Sequence, residues 1–225
     1  MYVSTITAAI IFLAFLGYFA FQLAKNFQLR NLNVSLQNKD YETTEQLGHL
    51  PMVRRLLGDY VCDLYQLRAY DLAHDTEKME QQLHKMLQAT YKNPEDKISF
   101  LMEYYHMFLL KGQRTYADWL LAEIRTLENP QDTKYQEQAY EVLLNGRSDL
   151  IEEMIDEINS KKYYGFSLGV ILFAIAKQYE SRKDAKNAEI YYQNAKVCFH
   201  PSAVYVPVID KNLERLAAEL AAAPA

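Results

Sequence analysis

Two short patterns in this 225-residue chain have the residue types of a catalytic or metal centre. Gly165-Phe166-Ser167-Leu168-Gly169 spells the G-x-S-x-G of a nucleophile elbow, and Asp184, His200 and Asp210 follow it as acid and base partners. That chemistry needs a buried strand running into the serine, so that a sharp turn lifts its hydroxyl clear of a sheet. Here the serine is preceded by Lys161-Lys162-Tyr163-Tyr164 and followed by the apolar helical run Val170 to Tyr179. The two glycines are therefore expected to open a helix and let it pack closely. A serine hydrolase stands as the alternative reading, and the chain is expected not to be an enzyme.

Glu103-Tyr104-Tyr105-His106 has the Glu-x-x-His spacing of di-iron bundles, which need a second copy and two more inward carboxylates. No second Glu-x-x-His appears: Glu45 with His49 and Glu80 with His84 have the i,i+4 spacing of ordinary helix-surface pairs. His74 falls in a loop and is expected to be solvated. With no Gly-rich phosphate loop and no Cys-x-x-Cys pair, no metal, cofactor or small-molecule substrate is expected. The net charge of −5 argues against nucleic acid, which needs a concentrated basic patch. The doublets Arg54-Arg55 and Lys161-Lys162 are read as solvated helix ends. Cys62 and Cys198 sit in apolar helical patterns and are expected to be buried free thiols.

The element that would position everything else is the N-terminus. Met1 to Ala24 contains no acidic, basic or histidine side chain, and Val3 to Leu23 supplies the roughly 20 helical residues that cross a bilayer. No basic residue precedes the run and no small-x-small site closes it, so a retained single-pass anchor is expected over a cleaved signal. Lys25, Arg30, Lys39, Arg54 and Arg55 all follow it, so the positive-inside rule places the amino terminus outside and the soluble part in the cytoplasm. Asn33-Val34-Ser35 matches a glycosylation acceptor but lies close to the membrane and carries no weight.

Beyond the anchor, 18 Tyr and 10 Phe against 7 Gly and 6 Pro suit an all-α domain of packed stripes. Breakers at 38–40, 74–76, 92–94, 111–113, 128–130, 145–147, 182–184 and 200–201 separate segments of helical apolar spacing. Asp75 or Thr76 can cap the helix carrying Met79, Leu83 and Met86. Pro94-Glu95-Asp96 can open the next, and Ser148 can cap the helix of Leu150, Ile151, Met154, Ile155 and Ile158. Short links make such helices antiparallel hairpins.

Near the C-terminus, Ala176, Tyr179, Ala188, Tyr192, Ala195 and Pro201 follow the small-aromatic-small-aromatic-small-Pro order of a tetratricopeptide repeat. Tyr105, Phe108, Ala117, Leu121, Ile124 and Pro130 take corresponding places. So do Ala139, Val142, Ile151, Ile155 and Ile158, and Leu67, Tyr70, Met79, Leu83, Met86 and Pro94. The soluble chain thus resembles the tetratricopeptide family, with Leu67 and Tyr105 standing where that family has a small residue. A poorly formed further unit runs from Lys25 to Arg55, where Gly48 and Pro51 interrupt its second helix.

The anchor is expected over 1–24, followed by membrane-proximal helices over 25–58 that could form a degenerate repeat, and the resemblance implies about four hairpins over 59–202. A capping helix follows over 203–220, covering the last repeat with Val204, Val208, Leu213 and Leu216 although Pro207 interrupts its start, and then a tail over 221–225. It also implies a concave groove lined by the first helix of each hairpin. One row would be Leu64, Met102, Gln136 and Phe173, and the next Arg68, His106, Tyr140 and Lys177. That mixture of apolar, aromatic and cationic groups would suit a protein segment with some acidic residues. The expected function is a membrane-anchored adaptor or scaffold for a membrane-associated protein partner, or a subunit of a membrane complex.

Overall fold

The structure, a computed structural model, describes residues 5–127 and 130–222, with side chains from 7–127 and 133–222. The start of the expected span at Val3, the break at Glu128-Asn129 and the tail over 223–225 lie outside the described residues. Among the described residues every element is helical: α1 (Thr5–Gln37), α2 (Tyr41–His49), α3 (Pro51–Leu57), α4 (Asp59–Ala73), α5 (Thr76–Gln88), α6 (Pro94–Lys111), α7 (Arg114–Ile124), α8 (Pro130–Leu143), α9 (Ile151–Asn159), α10 (Gly165–Ser181), α11 (Ala185–Cys198) and α12 (Tyr205–Ala222). The all-α expectation holds. The chain divides into two compact units, Met1–Phe100 and Leu101–Ala225.

In the N-terminal unit, α1 has two characters in one unbroken helix. Its first part is apolar and bare, with Ile10 to Leu16 and Tyr18 to Phe21 exposing their large side chains. It is long and apolar enough to cross a membrane. The second part turns Leu29, Leu32 and Leu36 into a core with Leu47, Val53, Leu57, Val61, Cys62 and Tyr65. No break separates the two parts at Ala24-Lys25; with 33 residues the helix is about 50 Å long.

Four hairpins share one turn. After α1, α4, α6 and α10 comes a residue with positive φ, namely Lys39 (61°), His74 (58°), Gly112 (69°) and Lys183 (61°). The next residue, Asp40, Asp75, Gln113 or Asp184, has φ between −83° and −94° and ψ between 75° and 83° and caps the following helix. Its N–H reaches back to the fifth preceding carbonyl, Ser35, Tyr70, Phe108 and Tyr179 in turn, at 2.9 to 3.0 Å. Each first helix thus ends in a Schellman-type motif whose last residue begins the second. In three of the turns the aspartate side chain accepts an N–H, from Thr43, Lys78 and Asn187; Gln113 makes no such bond.

The α8–α9 link departs from this pattern, and it corrects the reading of Ser148. α9 starts only at Ile151, and no side chain of its own caps it. Instead the buried Gln178 of α10 accepts the Leu150 N–H through Oε1 at 2.8 Å, so a neighbouring helix satisfies the orphan donor. The Ser148 carbonyl accepts from Arg182.

Close approach explains two glycines. A Cβ on Gly48 would lie 2.8 Å from the Gln66 side chain, where α2 packs on α4, and one on Gly169 would lie 2.8 Å from the Phe199 ring. α2 does end at His49, and Pro51 opens α3 as its first residue. In the C-terminal unit α10 is apolar on every side and buries Gly169 through Ala176, packing against α8, α9 and α11.

α12 packs on α11 with a face that shares only Leu216 with the expected one. Tyr205, Ile209 and Leu216 are its buried residues, whereas Val204, Val208 and Leu213 are only partly covered. Pro207 sits in its first turn, where a missing N–H costs nothing.

Candidate functional site

The expected groove residues divide between the units, with Leu64 and Arg68 on α4 and the other six on α6, α8 and α10. Leu64 is buried and Arg68 half-buried, its guanidinium 6.0 Å from the centre of the Tyr65 ring.

In the C-terminal unit three of the six are enclosed. His106 and Gln136 have no exposed surface and Phe173 has 1%; Met102, Tyr140 and Lys177 remain partly open. Met102 and Gln136, expected as neighbours in one row, touch: Gln136 Nε2 lies 2.9 Å from the Met102 sulfur. His106 and Phe173 are covered in large part by Tyr205, at the start of α12. Tyr205 places its hydroxyl 2.7 Å from His106 Nδ1 and its ring centre 4.8 Å from those of Phe173 and Phe199. Phe166 adds edge contacts to His106, Phe199 and Tyr205. The inner space beside His106 and Phe173 is thus filled by Tyr205, the first residue of α12.

Burial in this aromatic surround drives the His106 imidazole down to about 3, so the ring is neutral at physiological pH. Its Nε2 has no partner. The same burial raises the Tyr205 phenol well above its ordinary value.

An open cleft remains between Leu109, Leu110, Leu143 and Phe173 on one side and Val208, Lys211 and Asn212 on α12, with Lys177 at its edge. Burial, and then Arg215, lower the Lys177 ammonium, and its Nζ lies 2.7 Å from Glu180. Tyr140 looks elsewhere: its hydroxyl accepts from Arg114 Nη1 at 2.8 Å and the Arg114 guanidinium lies over its ring.

The G-x-S-x-G serine sits in the first turn of α10, its hydroxyl donating to the Tyr164 carbonyl at 3.1 Å. The residues that would complete a triad are engaged elsewhere. Asp184 caps α11, Asp210 pairs with Lys196 at 2.6 Å and His200 Nδ1 meets the Ser202 hydroxyl at 2.9 Å. Glu103 lies on the exposed side of α6 while His106 is sealed. Among the described residues no group of three or more His, Cys, Asp or Glu could hold a metal ion.

Sequence reasoning missed a charged centre in the N-terminal unit. Asp63, with a side chain only 3% exposed, accepts from Arg54 Nη1 at 3.0 Å and Nη2 at 3.1 Å and from Lys85 at 2.7 Å. Its other oxygen accepts from Tyr91 at 3.3 Å. Burial disfavours its ionised form, but the bonds from Lys85 and Arg54 outweigh that and hold the carboxyl below the usual range. Arg54 also reaches Asp59 at 2.8 Å, so it is an internal clamp and not the solvated helix end expected. Cys62 is buried and its thiol is pushed up to about 11 by burial; Cys198, expected to be buried, is half-exposed.

No protein-family model, curated protein or solved structure matches this chain.

Proposed function

We infer that this protein is a membrane-anchored helical-repeat adaptor that presents its folded units to a protein partner at the bilayer surface. The observation that carries the reading is the double character of α1, bare and apolar over its first part and built into a core by Leu29, Leu32 and Leu36. A bare apolar helix of that size calls for lipid or protein cover. The cations Lys25, Arg30, Lys39, Arg54 and Arg55 follow it and favour a cytoplasmic position for the units. A tetratricopeptide-like array is supported by the four matching turns, whose positive-φ residues fall at 39, 74, 112 and 183. The interval between the last two is close to twice that between the others, and the irregular α8–α9 hairpin fills it.

With Tyr205 filling the space beside His106 and Phe173, the surface proposed for a partner is the cleft edged by Lys177 and Lys211. An apolar floor between two lysines suits an amphipathic segment with acidic residues. The test is a gentle-detergent pull-down with the full-length chain, a form lacking residues 1–24, and a full-length Lys177→Glu, Lys211→Glu variant. Partners kept on truncation and lost with the charge reversal support recognition by the cleft. Partners lost on truncation alone place recognition in the span. A chain that captures nothing specific, yet is labelled at Ser167 by a fluorophosphonate, overturns the adaptor reading.

A further inference from the structure

We propose that the corner between α2 and α3, Leu50-Pro51-Met52, is a second membrane contact that dips into the interfacial layer of the bilayer crossed by α1. The proposal rests on the reading of α1 as a span.

The level of the corner follows from the hairpin that carries it. α1 reverses at Asn38–Asp40, and α2 packs back along it. Nine residues of α2 return the chain about 13 Å toward the apolar part. Leu47 thereby lines the same cleft as Phe27, Arg30 and Asn31. Thr44 meets Ser35 of α1 at 2.8 Å, and Leu50 lies six residues further in the same direction, which sets the corner beside the stretch from Phe27 to Leu29. That stretch is four to six residues past Leu23, so the corner's backbone stands about 6 to 9 Å beyond the end of the span. Headgroup layers extend about 5 to 8 Å from the hydrocarbon.

The chemistry of the corner suits that layer. Leu50 is 48% exposed and Met52 65% exposed, while the next residue, Val53, faces inward against the second half of α1. On α1, Leu23 and Phe27, one turn apart on the same face, are 55% and 61% exposed and carry apolar surface to the same level. Cations fringe the surface. Arg55 lies one turn from Met52 on the same face of α3, Arg30 edges the cleft with Phe27, and Lys25 follows the span. Apolar tips with flanking cations are what an anionic bilayer surface receives, the tips at the acyl boundary and the cations among phosphates.

The test uses the full-length chain with Cys198→Ser, which leaves only the buried Cys62 thiol, in vesicles of phosphatidylcholine and phosphatidylglycerol. An environment-sensitive NBD label is placed singly at Met52→Cys, Phe15→Cys or Gln37→Cys, and circular dichroism verifies the helical fold of each. Gln37 lies 14 residues beyond Leu23 on the same helix, about 21 Å away. Expected is blue-shifted emission at 52 that shallow nitroxide lipids quench more than deep ones, the opposite order at 15, and no lipid quenching at 37. A label at 52 that behaves as the one at 37, while 15 is quenched by deep nitroxides, overturns the proposal and leaves the span intact. A label at 52 shielded from aqueous iodide but untouched by nitroxide lipids also overturns it, since protein then covers the corner. A label at 15 that lipid does not quench removes the span itself.

Discussion

The Tyr205 hydroxyl and His106 Nδ1 lie 2.7 Å apart, both residues fully buried, across 99 positions of sequence. This pair ties α12 to the inner side of α6, and its energetics follow from what each loss would strand. Tyr205→Phe keeps the ring stacked on Phe199 but leaves Nδ1 buried without a partner, at a cost of about 1–3 kcal/mol. Tyr205→Ala also empties the space against Phe173 and costs about 3–5 kcal/mol. Urea unfolding of the detergent-solubilised chain checks both. Equal losses for the two variants would show that the hydrogen bond, and not the ring, holds α12.

Acid should loosen the same place. The His106 imidazole is depressed to about 3 in the folded chain and takes up its proton near 6.5 once unfolded. A depressed folded value stabilises fully above about pH 6.5, and that stabilisation is lost as pH falls from there toward 3. The expected slope is about 1.4 kcal/mol of stability lost per pH unit in that window. His106→Gln should flatten the stability profile between pH 6.5 and 5, measured by urea midpoints. An unchanged slope in the variant would assign the acid sensitivity to other groups.

Asp63 predicts a different kind of loss. Removing a carboxylate that holds Arg54 and Lys85 leaves cations without their partner in a mostly closed site, so Asp63→Ala should cost about 3–5 kcal/mol. Lys85→Met keeps the Arg54 bonds and should cost less, because the lysine end is half-exposed. Comparing thermal midpoints of the two variants checks the order. The carboxyl is held below its usual range, so its contribution is present above about pH 4 and is lost as pH falls through the folded value.

The shared turn predicts gains. Gln113 occupies a cap position without a side-chain bond, and its Oε1 is buried without a partner. Gln113→Asp, the residue found in the three matching turns, should stabilise by about 1 kcal/mol. His74→Gly, at φ 58°, should gain roughly 0.5–1 kcal/mol by relieving the left-handed strain on a side chain. Thermal melts of the single and double variants should show additive shifts, since the turns belong to separate hairpins.

Local signals made the hairpins readable from the sequence. Asp75 marks a cap, the clusters at 38–40 and 182–184 mark breaks, Pro94 a first turn and Gly48 with Pro51 an interruption, and each acts within a few residues of itself. The Asp63 centre was not legible, because Arg54, Lys85 and Tyr91 meet it only after α3, α4 and α5 have packed. Tyr205 was missed for the same reason. Nothing near it in sequence distinguishes it from the neighbouring Val204 and Val208, and its destination is set by His106 and Phe173 on distant helices. The groove rows were placed from helix spacing alone, and spacing says nothing of a later side chain filling the space beside them.

The continuity of α1 through Ala24 and Lys25 sets the mechanics of whatever the N-terminal unit recognises. A flexible tether lets a domain sweep a volume that grows with its length and forget the orientation of its anchor. An unbroken helix whose far half is core instead makes the unit turn as the span turns. Rotation of α1 by one residue position, about 100°, would swing that unit's whole surface to a new azimuth about the helix axis. On the proposed reading of α1 as a span, a partner arriving laterally in the bilayer would therefore meet one fixed face, and a twist imposed on the helix would be felt as a change of address.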